Sequence, residues 1–112
     1  MLAGSDCPNP FVYPGFSLHD ELGLLVRSGL TPAEAVRTAT INPARFLGMT
    51  DSLGTVASGK VADLVLLDAN PLTDIANTKR IRAVIQGGHL WNRGALDAML
   101  AGARARAAAD RN

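Results

Sequence analysis

The sequence predicts an α/β chain in which a helical half precedes a β-rich half. Three observations point there. An apolar lead, Leu2-Ala3, runs into Gly4-Ser5-Asp6, as a strand ending in a carboxylate does before a loop and a helix. Three punctuated helical segments then follow within about thirty residues. After Asp51 the composition changes to short Val-, Leu- and Ile-rich runs separated by Gly, Asn and Pro.

The bulk numbers bound the reading. The 112 residues suit one ordinary domain. At 47% hydrophobic and 19% charged residues, the chain is globular rather than disordered. Eleven Lys and Arg against ten Asp and Glu leave a net charge of +1, which gives no electrostatic case for nucleic acid or an anionic membrane. Four Arg and two Asp from Arg93 onward read as a solvated helix face. The single cysteine, Cys7, forms neither an intrachain disulfide nor a metal motif by itself. Met1 to Pro10 has no basic n-region and no apolar h-region, so no signal peptide is read. Val61 to Leu67 is broken by Asp63 and far too short to cross a bilayer. The expectation is a soluble, cytoplasmic chain.

The elements follow in order. Leu2 to Asp6 is expected as a strand. Pro8 to Gly15, with Pro8, Pro10 and Pro14, is expected as irregular loop, because proline fixes φ and removes a donor. Ser17 reads as an N-cap, with Asp20 three residues on as its capping-box partner. Leu18, Leu22, Leu25 and Val26 make one apolar face, and Gly29 ends the helix. Thr31-Pro32-Ala33-Glu34 places cap, N1 proline and N3 glutamate in sequence for the next helix. Asn42-Pro43 repeats the device for a short helix to Leu47, closed by Gly48.

In the second half, Gly54 to Val56 reads as a short strand and Ser58-Gly59-Lys60 as a turn. Val61 to Leu67 reads as a buried strand stopped by Asn70-Pro71. Leu72 to Lys79 is loop or helical turn, with Asp74 and Asn77 as local caps. Ile81 to Gln86 and His89 to Asn92 form a hairpin about Gly87-Gly88. A final helix carries Leu96, Met99, Leu100 and Ala103, and frays beyond Gly102 where apolar bulk ends.

Asp6 is the first candidate for chemistry. A carboxylate at the end of a strand could ligate a metal or act as a general base. Alternatively it is a turn aspartate bonding nearby backbone, which the local sequence favours. No His-x-His, His-x-x-x-His or Cys pair accompanies it. His19 in a first helical turn could face a pocket, but reads more simply as a partly exposed turn residue. His89 on a hairpin strand reads as structural, and Cys7 as a small packed side chain. Asp63 is expected to satisfy the Gly59-Lys60 backbone or to pair with Lys60.

Taken in order, these blocks resemble the C-terminal portion of the amidohydrolase superfamily, in its imidazolonepropionase-like and Xaa-Pro dipeptidase-like branch. Gly4-Ser5-Asp6 is similar to that superfamily's strand-8 motif. Pro14 to His19 with Glu21-Leu22 resembles the loop and helix after it. Gly29-Leu30-Thr31-Pro32, Glu34-Ala35, Thr40 and Asn42-Pro43-Ala44 resemble the next helices. Leu53-Gly54-Thr55-Val56, Gly59-Lys60 and Ala62-Asp63-Leu64-Val65 resemble the return into a small β-sandwich.

The resemblance implies a fold and a chemistry. Residues 1–50 would be the last strand and helices of a (β/α)8 barrel, 51–93 the C-terminal strands of the sandwich, and 94–112 a helical tail. It implies a metal-dependent hydrolase of carbon–nitrogen bonds, with Asp6 as metal ligand and proton shuttle at a divalent metal, zinc by expectation. The other ligands so implied (a His-x-His, a bridging Lys or Glu, and two further histidines) have no counterpart in these residues. The expectation is therefore a C-terminal segment, inactive alone and binding no metal alone, whose complete enzyme acts on a small amide or dipeptide. Exposed sheet edges would drive self-association or pairing with an N-terminal portion. A non-catalytic α+β binding module and one half of a split hydrolase remain the alternatives.

Overall fold

The computed structural model of the chain describes residues 1–7 and 9–111. Pro8, the first of the loop prolines, and Asn112 lie outside the described residues. The elements are α1 (Phe16–Arg27), α2 (Pro32–Thr38), α3 (Ile41–Phe46), β1 (Leu64–Leu67), a 3₁₀ turn (Ile75–Lys79), β2 (Ile81–Gln86), β3 (His89–Asn92) and α4 (Arg93–Ala109).

The expected strand at Leu2 to Asp6 is not formed. That stretch is irregular, tied down by one backbone bond from Ala3 N–H to the Thr38 carbonyl at 2.9 Å. A strand exists only beside a partner, and no other strand of the described residues lies alongside it.

The α1 helix starts earlier than its sequence suggests. Gly15, at φ 80°, takes the N-cap position and no side chain caps the helix. Ser17 lies inside the first turn and sends both its N–H and its hydroxyl back to the Tyr13 carbonyl, at 3.0 and 2.7 Å. The expected Ser17–Asp20 box is therefore absent, and Asp20 pairs with Lys79 instead. The C-terminus follows expectation: Gly29 N–H bonds the Val26 carbonyl and Leu30 N–H the Leu25 carbonyl, a Schellman closure.

At α2 the expected cap is complete. Thr31 Oγ1 accepts from the Glu34 N–H, and the Glu34 carboxylate accepts from the Thr31 N–H at 2.8 Å. At α3 the cap residue is Thr40 rather than Asn42, again without a side-chain cap bond. Asn42 instead donates its amide to the Met1 carbonyl at 3.0 Å.

Gly54 to Val56 is not a strand: Gly54 and Thr55 form bends and Val56 is irregular. Gly54, at φ 93°, lies hard against α3: a Cβ there would come within 2.8 Å of Ala44 Cβ and 3.1 Å of Ile41 Cα. Docking on a helix, rather than pairing with a neighbour, fixes this segment. Lys60 then draws the loop together by donating to the Thr50 carbonyl and the Thr55 hydroxyl.

The sheet is antiparallel, in the order β1-β2-β3. Leu64 faces Ile85, Val65 faces Val84, and the register shifts between Leu66 and Leu67. Val84 in turn faces Trp91. The first strand is shorter than expected, because Val61 to Asp63 serve the loop: Val61 N–H bonds the Ser52 carbonyl. Asp63 also departs from expectation. Its carboxylate accepts the Gly87 N–H at 2.7 Å, bracing the hairpin turn rather than the Gly59-Lys60 turn. Asp74 caps the 3₁₀ turn by accepting from Ala76 N–H.

Asn92 caps α4 by accepting from Ala95 N–H at 2.9 Å. Arg93 anchors its start, donating to the Ile81 carbonyl and to Asp97. The helix extends past Gly102, where fraying is expected. The helix continues to Ala109 although every residue from 101 to 111 is exposed. Alanine has the highest helix propensity of any residue, so the run persists without packing.

The helices α1, α2 and α3 pack in succession, α1 also touches the 3₁₀ turn, and the sheet carries α4. The core between these elements is thin. Its buried apolar residues are Leu22, Ala35, Ala44 and Ala83, only one of them large. The accessible surface is 8012 Å², against about 5,900 Å² expected for a folded chain of this mass. The radius of gyration is 15.5 Å, against about 13 Å expected for this length. Among the described residues, no helix is long and apolar enough to cross a membrane.

Candidate functional site

Asp6 sits at the start of the loop leading into α1. Its backbone is left-handed, at φ 50°, a region that Asp and Asn tolerate better than most residues. The Asn9 side-chain amide donates to Asp6 Oδ2 at 2.8 Å and to the Asp6 carbonyl at 2.7 Å. The Asn9 N–H reaches the same carbonyl at 3.3 Å. The carboxylate is thus exposed, oriented by one local amide, and otherwise open to solvent. Beside it, the Cys7 thiol is half-buried and directed at the Val12 carbonyl, as a packed side chain would be.

The two histidines have different surroundings. His89 is exposed and meets Trp91 edge-on, with ring centroids 4.4 Å apart. His19 is half-buried and bonds through Nδ1 to the Thr78 hydroxyl at 3.1 Å, joining α1 to the 3₁₀ turn. Lys79 reinforces that junction with a 2.8 Å bond to Asp20. Burial, and then the Lys79 ammonium, hold the His19 imidazole below its ordinary value of 6.5, with Asp20 pulling weakly the other way. The hydrogen bond from Lys79 likewise keeps the Asp20 carboxyl below its usual range.

A cleft of about 760 Å³ opens between α1 and α4. Phe16, Ile81, Val84, Leu96 and Met99 line it, with His19 at its side. Neither Asp6 nor Cys7 lines it. The sequence marks His19 as a pocket candidate, but gives no sign of Thr78, which holds the ring from 59 residues away. The cleft itself arises from elements that are not neighbours in sequence.

The geometry around Asp6 supplies one carboxylate. Among the described residues, no three His, Cys, Asp or Glu side chains come together as a metal would need.

The family pattern described as "Amidohydrolase family" matches residues 4–90, from two residues before Asp6 to the last hairpin strand. The chain belongs to the amidohydrolase family.

Relatives agree with that assignment. Adenine deaminase 2 of Agrobacterium fabrum is 42% identical over 77 residues, covering 68% of this chain and 13% of its own length. Imidazolonepropionase of Deinococcus deserti is 40% identical over 92 residues, covering 79% of this chain and 23% of its own. Among solved structures, a Xaa-Pro dipeptidase with methionine bound in its active site superposes with a TM-score of 0.64 at 33% identity. That match covers 67% of this chain and 18% of the dipeptidase. The amidohydrolase chain described here thus spans less than a quarter of the length of each of these relatives. The α4 helix lies wholly beyond the residues that the family pattern matches.

Proposed function

We propose that this chain is the C-terminal part of a metal-dependent amidohydrolase that cleaves carbon–nitrogen bonds in small amides, dipeptides or cyclic amides. The observation that carries the reading is the surplus of surface. A chain with about 2,100 Å² more accessible area than its mass requires, and one large buried apolar side chain, is built to pack on more protein. In this reading residues 1–50 finish a (β/α)8 barrel, 51–93 contribute strands to a β-sandwich, and 94–112 form a tail.

Asp6 is the chain's contribution to the chemistry. Its exposed carboxylate, steered by Asn9, takes a proton from the attacking water and returns one to the leaving amine. A divalent metal, zinc in the first instance, would acidify that water and polarise the carbonyl; its remaining ligands would come from outside these residues.

The test is the reading frame that contains this chain together with its upstream sequence. The expected product carries a stoichiometric divalent metal by plasma mass spectrometry and hydrolyses members of a dipeptide and amide panel. Asp6→Asn lowers kcat about 100-fold or more. An upstream frame without a His-x-His, or an Asp6→Asn enzyme of full activity, overturns the proposal. The first result would favour a free-standing module or a split enzyme.

A further inference from the structure

We infer, resting on the reading that Asp6 moves protons in amide hydrolysis, that Asn9 is the positioning residue for that step and leaves Asp6 Oδ1 as the oxygen that carries the proton. The side-chain amide of Asn9 meets two acceptors, the Asp6 carbonyl at 2.7 Å and Asp6 Oδ2 at 2.8 Å. Neither a carbonyl nor an ionised carboxylate can donate, so the amide nitrogen faces both and spends its two protons on them. One bond holds the Asp6 backbone and the other its side chain. A single residue therefore fixes both ends of the reacting group.

The loop is shaped around this contact. Among the described residues, the non-glycine positions with left-handed backbone are Asp6, at φ 50°, and Phe11, at φ 65°, and they flank Asn9. Such backbone is costly for a residue with a Cβ, most of all for a bulky one, and it gathers at functional sites. Asn9 is itself anchored on both sides. Its N–H reaches the Asp6 carbonyl at 3.3 Å, and its carbonyl accepts the Val12 N–H at 3.0 Å. The amide meets Asp6 from a backbone that is already held.

The two carboxylate oxygens then differ. Oδ2 accepts the amide, while Oδ1 accepts no bond among the described residues and stays open to a proton. As the water oxygen bonds the carbonyl carbon, one water proton moves to Oδ1. When the C–N bond breaks, its electron pair stays on the nitrogen, which takes that proton from Oδ1. The carboxylate returns to its starting state, and the Asn9 amide keeps both its protons throughout.

In the enzyme of the full reading frame, Asn9→Ala should lower kcat about tenfold, the worth of a hydrogen bond to a charged group, with KM and metal content unchanged. Asn9→Ser, which restores one donor, should recover part of the loss. In an Asp6→Asn background, Asn9→Ala should cost nothing further, because Asn9 acts through the carboxylate. Crystals of the metal-free enzyme should show Asp6 in one rotamer with the amide on Oδ2, and in several rotamers in Asn9→Ala. A residue that merely supports the loop would lower the thermal midpoint and cost as much in either background. An unchanged kcat, equal losses in both backgrounds, or an Asn9 amide out of reach of Oδ2 in the parent crystals would overturn the assignment to Asn9. If Asp6→Asn is still crippled, the hydrolytic reading survives that result; Asp6→Asn at full activity overturns both.

Discussion

The carboxylate of Asp63 accepts the Gly87 N–H across 24 residues, and this one bond braces the hairpin turn against the entry to β1. Asp63→Ala should destabilise the chain by about 1 kcal/mol in urea denaturation, while Asp63→Asn, which keeps an acceptor, should cost less. The sequence showed that an aspartate inside an apolar run needs a partner. It could not show which, because the partner is a backbone group brought up by sheet pairing. His19 carries a similar lesson. Its place on α1 was legible, but its hold on Thr78 depends on how α1 meets the 3₁₀ turn. The pH consequence has a definite sign. The folded-state pKa of His19 lies below the ordinary 6.5, so folding favours the neutral ring. That stability is full above about pH 6.5 and is lost as pH falls from there through the lower folded value. The urea midpoint should drop between pH 7.5 and 5, and His19→Gln should flatten the drop. An unchanged slope in the variant would assign the effect elsewhere.

Elements with local instructions were read correctly, and elements with distant ones were not. The α2 cap lies within four consecutive residues, Thr31 to Glu34, and forms as written. Thr31→Ala should cost about 1 kcal/mol, seen as a lower thermal midpoint. The hairpin of β2 and β3 is equally local, with its Gly-Gly turn. By contrast, Ser17 had the right chemistry for a cap, but the Tyr13 carbonyl took its donors one turn earlier. Gly54 to Val56 had strand-like residues, but α3 claimed the space. Gly54→Ala adds a methyl against Ala44 and demands a left-handed backbone from alanine, so both effects act in one direction. A loss of about 2 kcal/mol or more in equilibrium denaturation is expected; a neutral result would show that α3 and this loop move apart freely. The outer half of α4 is the opposite case, a helix held by propensity alone. Amide exchange there should be far faster than in β2, because nothing packed must be undone.

At the scale of the whole molecule, helices before strands was legible, because composition changes sharply after Asp51. Composition alone does not convey how little of the apolar content is covered, although the family resemblance led to an expectation of exposed sheet edges. Val65 and Leu66 on β1 and Leu90 on β3 are each more than half exposed, and both edges of the sheet are open among the described residues. We expect the isolated chain to associate with itself: sedimentation should show species above 11.7 kDa that grow with concentration. A monomer at all concentrations would count against the packing argument and against the function built on it. The Asp6 carboxylate, exposed and steered by Asn9, was legible as a candidate but not as a geometry, since its left-handed backbone is set by the loop around it.

The two open sheet edges have a consequence inside a cell. Unpaired strands and uncovered leucines are the features that holdase chaperones capture and proteases clear. Made without a covering partner, this chain would be a client of quality control before it was anything else. Its abundance would report how quickly β1 and β3 are covered rather than how tightly its own core is packed.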